Sequence, residues 1–182
     1  PNFSEGRNLA LVKQITDAME IVSGVTLLDV EAGYDTNRTV VTIVGDPDSV
    51  IKSAFLGIKK ASELIDMRKH RGEHSRMGAI DVCPLVPISE TTMNDCVRYS
   101  KQLAENVGKD LKIPVYLYEF SATSQDRINL AQVRSGEFEG MPAKMKSDKW
   151  KPDYGPISPH KTAGVTAIGA RNFLIAYNIN LN

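Results

Sequence analysis

Between Leu9 and Ile65 the apolar positions fall into readable periods. Leu9, Val12, Ile15, Met19 and Val22 recur at helical spacing, with Gly24 following as a stop, so the pattern predicts a helix over Asn8 to Val22. "VTLLDVEA" and "RTVVTIVG" are rich in β-branched residues. They flank "GYDTN", whose glycine, aspartate and asparagine suit a turn, and the three together predict a hairpin. Asp46 then offers a cap with Pro47 at the first helical position. Val50, Ile51, Ala54, Phe55, Ile58, Ala61 and Ile65 continue one apolar face of a second helix.

Past Gly72, "AIDVCPLVPI" reads as a strand limited by prolines. Thr92 and Asp95 make a capping-box start for a third helix that carries Met93, Cys96, Val97, Leu103 and Val107 and stops at Gly108. "VYLYEF" is another strand. From Ser121 to Trp150 the pattern weakens into short helical pieces around Leu130 and Lys144. Phe173, Ile175, Tyr177, Ile179 and Leu181 alternate with Leu174, Ala176, Asn178 and Asn180, the period of a closing half-buried strand with Phe173 and Tyr177 in the core. This order predicts an α+β fold, a two-layer sandwich whose helices cover one face of a mixed sheet. Its opening matches a ferredoxin-like unit that lacks its first strand, as an excerpt beginning late would.

Composition narrows the function more than the fold. With 182 residues, 42% hydrophobic and 24% charged, the chain can bury one sizeable core. Its 22 basic and 22 acidic residues cancel, so no global field draws it to nucleic acid or to an anionic membrane, and any anion must be recognised locally. The apolar runs, such as "FLIAY", are far shorter than a membrane span, and no basic-then-apolar leader opens the chain. Two cysteines, Cys83 and Cys96, cannot form a framework of bridges. Both are expected as small core residues in a reducing cytoplasm.

The candidate chemistry lies in "GEHSRMGAIDVCP", Gly72 to Pro84. The residues His70 to His74, "HRGEH", fit the H-x-x-E-H pattern of inverted zinc peptidases, in which two histidines one helical turn apart hold the metal. Gly72 between the ligands argues against the continuous helix this needs, and no third ligand is nominated. His70 reads as a solvated residue at a helix end, where its charge suits the dipole. For His74 two readings stand side by side. It is either a loop filler or a side chain presented from rigid scaffolding, since glycines flank it and a buried strand follows.

Taken together, "PNFSEGR", "LLDVEAGYDTNRTVVTIVG", "IDMRKHRGEHSRMGAIDVCPLVP", "VYLYE", "EGMPAK", "PDYGP" and "GVTAIGARNFLIAYNINL" resemble, in order, the amino-terminal subdomain of the glutamate formimidoyltransferase (formiminotransferase) family. The resemblance implies two α/β sandwiches in one chain with folate in a groove between their sheets. The present residues would form the first sandwich, its partner being the carboxyl-terminal subdomain, and a homodimer is the implied assembly. It also implies transfer of a formimino group from N-formimino-L-glutamate to tetrahydrofolate, the one-carbon acceptor, releasing glutamate in histidine degradation. No metal is implied. A proton must leave the attacking amine and another must reach the departing one, which suits a group titrating near neutrality.

By the same resemblance the catalytic role falls on His74, in "GEHSRMGA", where Ser75 replaces the family's usual proline. The folate-contacting segment falls on Gly155, Pro156, Ile157, Ser158, Pro159, His160, Lys161, Thr162, Ala163 and Gly164, a glycine- and proline-shaped loop whose Ser158, His160, Lys161 and Thr162 offer donors. Read from the residues alone, that loop is first of all an ordinary Pro/Gly connection into the last strands. Glu31 and Arg76 are supporting candidates. Glu31 would orient or charge-stabilise His74, or is equally a solvated acid at a strand end, and Arg76 would receive a substrate carboxylate or pair with a local acid. The competing reading is a folate-binding module that lacks the opposing wall of a complete site.

Overall fold

The computed structural model describes residues 1–174. Strand β1 (Asn2–Phe3) leads to helix α1 (Leu9–Glu20), the hairpin β2 (Val25–Gly33) and β3 (Arg38–Gly45), helix α2 (Pro47–Leu64), strand β4 (Ile80–Leu85), helix α3 (Met93–Asp110), strand β5 (Val115–Glu119), helices α4 (Leu130–Arg134) and α5 (Glu137–Lys144), and strand β6 (Thr166–Ala170). The caps read from sequence are formed. The side chain of Asn8 accepts from Leu11 N at the start of α1, and that of Asp46 accepts from Ser49 N with Pro47 at the first position of α2. Thr92 and Asp95 close a capping box at α3.

The six strands among the described residues form one mixed sheet in the order β2-β3-β1-β4-β6-β5. β1 lies antiparallel between β3 and β4, while β6 runs parallel to both β4 and β5. The first four strands therefore complete a ferredoxin-like unit. Its first strand, expected to be missing, is present as Asn2–Phe3, where a two-residue pairing is too short to leave a period in the sequence. The β2–β3 ladder slips once between Leu27 and Asp29, putting a bulge into the outermost strand.

Strand alternation separates two cores. Phe3, Val41, Cys83, Val115, Leu117 and Ile168 face the layer of α1, α2 and α3, and both cysteines are buried and free. Val82, Tyr116, Tyr118 and Ala167 face the other way, against Val133, Met141 and Met145. The α+β layering thus holds for the three long helices, with one addition. The weakly patterned stretch folds as α4 and α5 over the opposite face of β4, β6 and β5, leaving that face of β2, β3 and β1 uncovered among the described residues.

Two local expectations are corrected. Helix α3 continues through Gly108 to Asp110, and the glycine serves packing instead: a Cβ there would lie 2.6 Å from Gly155 N. The predicted closing strand falls largely on residues 175–182, outside the described residues, and Phe173 is exposed. The last described strand is instead β6, whose "TAIGA" is buried at every position between two parallel neighbours.

Candidate active site

After α2 ends at Leu64, residues 65–79 form a loop whose course is set by backbone contacts on both sides. On one side it rests on the β2–β3 turn. Glu73 N donates to Asp35 O (3.1 Å), Asn37 Nδ2 donates to Arg71 O (2.9 Å), and Gly72 approaches so closely that a Cβ would sit 2.3 Å from Thr36 O. On the other side Phe138 N donates to Arg76 O (2.9 Å) from the first turn of α5. His74 stands between these anchors, partly buried.

Its ring is oriented by its neighbour. Nδ1 lies 2.6 Å from Ser75 O, and since a carbonyl only accepts, Nδ1 carries the proton in the neutral ring and Nε2 keeps its lone pair. Nε2 has no hydrogen-bond partner among the described residues. Burial, followed by the positive charge of Arg38, pulls the imidazole pKa below its ordinary value. Arg134 acts in the same direction, while the Ser75 carbonyl and Asp81 oppose it. The ring is therefore neutral at pH 7 and poised to take a proton at Nε2.

The groups that act on His74 belong to the sheet face turned away from α1–α3. On β3 the core-facing Val41 and Ile43 fix the parity, so Arg38, Val40 and Thr42 point the other way, with Asn2 and Glu31 opposite Val40 on the flanking strands. Arg38 Nη2 donates to Asn2 Oδ1. Asp81, fully buried at the β1–β4 irregularity, accepts from Met77 N at 3.1 Å through Oδ1 and from Arg134 Nε (2.9 Å) and Nη2 through Oδ2. Asn2, Asp81 and Arg134 were not reached by the sequence reading. The signal for Asp81 was present: a carboxylate inside the apolar run "AIDVC" must have a partner when buried.

The sequence-derived candidates divide. Glu31 is exposed on the uncovered face, and its charge is felt by Arg38. Arg76 is buried with its fork occupied: Nη1 donates to Glu137 (2.6 Å) and Nη2 to Glu139 (2.7 Å), while Nε donates to His70 Nδ1 (3.3 Å). Of the two roles open to it, pairing with local acids is the one this geometry fills. Glu137 has a left-handed backbone, φ 52°, which costs a non-glycine residue about 1 kcal/mol or more.

His70 is not the solvated residue expected at a helix end. It is 6% exposed, with Nε2 donating to Asn37 O (2.8 Å) and Nδ1 accepting from Arg76, and burial lowers its pKa. Both its nitrogens are engaged, and the helix that H-x-x-E-H requires is not formed, since α2 ends at Leu64.

Gly155 to Gly164 runs from the end of α3 to the His74 loop. Gly155, at φ +85°, packs on Gly108 and Ile113 O in the helix layer, where it and Pro156 border a depression of about 280 Å³. Ile157, Ser158 and Lys161 are exposed, and Pro159 is half-buried. His160 and Gly164 then close a tight turn through two backbone hydrogen bonds of 2.9 Å, and His160 Nδ1 accepts from Ala163 N. Thr162 O accepts from Met67 N and Ala163 O from Ala79 N, each at 2.9 Å. The last three residues therefore brace both ends of the His74 loop, while Gly155 and Pro156 lie on the α3 side of the sheet.

Comparison with known proteins finds relatives along the whole chain. A family model described as "Formiminotransferase domain, N-terminal subdomain" matches residues 1–171. The chain is 53% identical over its full length to a glutamate formimidoyltransferase of Streptococcus pyogenes serotype M1, covering 61% of that protein. It is 50% identical to a glutamate formimidoyltransferase of Thermoplasma acidophilum, covering 60%, and 48% identical to a formimidoyltransferase-cyclodeaminase of Rattus norvegicus, covering 34%. The chain thus spans between about a third and three-fifths of the length of these relatives. Among the described residues no helix is long and apolar enough to cross a membrane.

Proposed function

The chain belongs to the formiminotransferase family, as its amino-terminal subdomain, and from that premise we propose that it forms part of a cytoplasmic transferase that moves a formimino group from N-formimino-L-glutamate to tetrahydrofolate and releases glutamate, a step of histidine degradation. His74 is the general acid and base. The supporting observation is its ring: Nδ1–H held by the Ser75 carbonyl, Nε2 unengaged, and a depressed pKa that keeps it neutral. Nε2 accepts the proton that the attacking ring nitrogen loses as its bond to the formimino carbon forms. It returns that proton to the glutamate nitrogen as the bond from that nitrogen to the same carbon breaks, so one imidazole closes the proton balance. Tetrahydrofolate enters as acceptor substrate, in a groove that the uncovered face of β2, β3 and β1 forms with the carboxyl-terminal subdomain. The segment Gly155 to Gly164 contributes folate contacts, Glu31 supports His74, and the whole protein is a homodimer.

The test is His74→Ala in the full-length protein. Formimino transfer falls by about a hundredfold or more, the contribution typical of a positioned acid-base group, with unchanged far-UV circular dichroism and melting temperature. Turnover near wild type rejects the assignment. If the variant and the wild type bind tetrahydrofolate equally and neither transfers, the protein is a folate-binding module.

A further inference from the structure

The uncovered sheet face is short of negative charge. Among the described residues, half-buried Arg38 makes a single side-chain hydrogen bond, to Asn2, and its buried Nε has no partner. Arg134 commits Nε and Nη2 to one oxygen of Asp81, leaving Nη1 uncommitted among the described residues. Asp81 is thus the one buried carboxylate set against two guanidinium groups, since Glu31, the next acid on this face, is exposed. A guanidinium taken out of water without an anion and with most of its donors idle is destabilising, and folds retain such groups where a ligand supplies what is missing. The deficit is one unit of charge, which suits a carboxylate better than a phosphate dianion. Arginine's planar donors match two carboxylate oxygens.

We propose that Arg38, with Nη1 of Arg134, forms a carboxylate subsite beside His74 that receives a glutamyl carboxylate of a substrate. The inference rests on the proposed function for its choice of ligand. Two sources share this chemistry, the formimino-glutamate donor and the glutamyl tail of the acceptor. Binding either one here sets the reacting nitrogen against Nε2 of His74 by fixing the far end of the molecule.

Arg38→Met and Arg38→Lys in the full-length protein test it through melting temperature, with and without L-glutamate or tetrahydrofolate, and through steady-state kinetics in each substrate. Arg38→Met melts no lower than wild type, because an under-neutralised charge has gone. The protection that L-glutamate gives wild type disappears, and KM for formimino-glutamate rises about tenfold or more, the loss expected for a charge-assisted pair. Arg38→Lys recovers part of both. A KM increase confined to tetrahydrofolate assigns the subsite to the acceptor's tail. Should Arg38→Met melt several degrees lower while both KM values stay at wild type, Arg38 is a structural ion-pair partner and the subsite is refuted. If no formimino transfer occurs in wild type, yet glutamate protection is still lost in Arg38→Met, the subsite stands and the proposed reaction falls.

Discussion

Replacing Asp81 by leucine tests whether the polar cluster under His74 is one electrostatic unit. The carboxylate is fully buried, and its removal deletes two charge-assisted bonds from Arg134 and leaves Met77 N without its acceptor. Breaking a buried ion pair from one side costs about 3–5 kcal/mol. The Arg134 side chain is 17% exposed and can turn part of its charge to water, which puts the expected loss near the lower bound, about 3 kcal/mol. For a unit of this size that is a fall of about 6–12 °C in melting temperature. Asp81→Leu combined with Arg134→Met removes both charges and, by the same physics, recovers most of the loss. Urea titration of the four members of the cycle gives the coupling directly. A single-mutant loss below about 1 kcal/mol, or a double mutant no better than the single, would mean that Asp81 and Arg134 do not depend on each other and that the cluster is misread.

Two further outcomes follow from the same geometry. Because burial and Arg38 depress the His74 pKa, kcat/KM is expected to rise with pH through a midpoint below the ordinary 6.5 and to stay flat above it; in Arg38→Met the midpoint moves up towards 6.5. A midpoint above 6.5 in wild type, or one that Arg38→Met leaves in place, contradicts the electrostatic account. For backbone packing, Gly164→Ala places a Cβ 2.4 Å from Met77 O at φ +70°, and the atoms it meets belong to the backbone or to Phe138, so a loss of at least about 2 kcal/mol is expected in urea unfolding. Gly140→Ala, in helix α5 with nothing within 4 Å of its Cβ, serves as the contrast and is expected to gain about 0.4–1 kcal/mol. Equal effects at the two glycines would refute the close-approach argument.

The elements that could be read from sequence were those whose own residues carry a period or a cap. The hairpin, α2 between Pro47 and Leu64, and the capping box of α3 announce themselves locally, since each is specified within a few residues of itself. β1 and β6 do not. Asn2–Phe3 is a strand only because β3 and β4 flank it, and "TAIGA" has no alternation because both its faces are covered. The site shows the same division. His74 is visible because glycines and a buried strand bracket it, and its reading as catalytic came from the resemblance, not from spacing. Asp81, Arg134 and Arg38 meet across positions 38 to 134, and no local pattern encodes a meeting that the sheet and α4 create. His70 was misread for the same reason, since the Asn37 carbonyl that fixes it belongs to the hairpin turn.

The slipped ladder between Leu27 and Asp29 matters beyond the hairpin. Among the described residues β2 is the rim of the sheet and a long one, and an open rim presents amides and carbonyls as a template on which a foreign extended chain could dock and seed fibrils. The kink interrupts that template midway, and Asp29 and Glu31 add negative charge next to it. At the far rim, Asp153 and Tyr154 donate to the carbonyl of Val115, and Tyr154 O accepts from its amide, which closes the start of β5. Among the described residues neither rim is left as a clean zipper, and a guard against edge-to-edge pairing is built into both ends of the sheet.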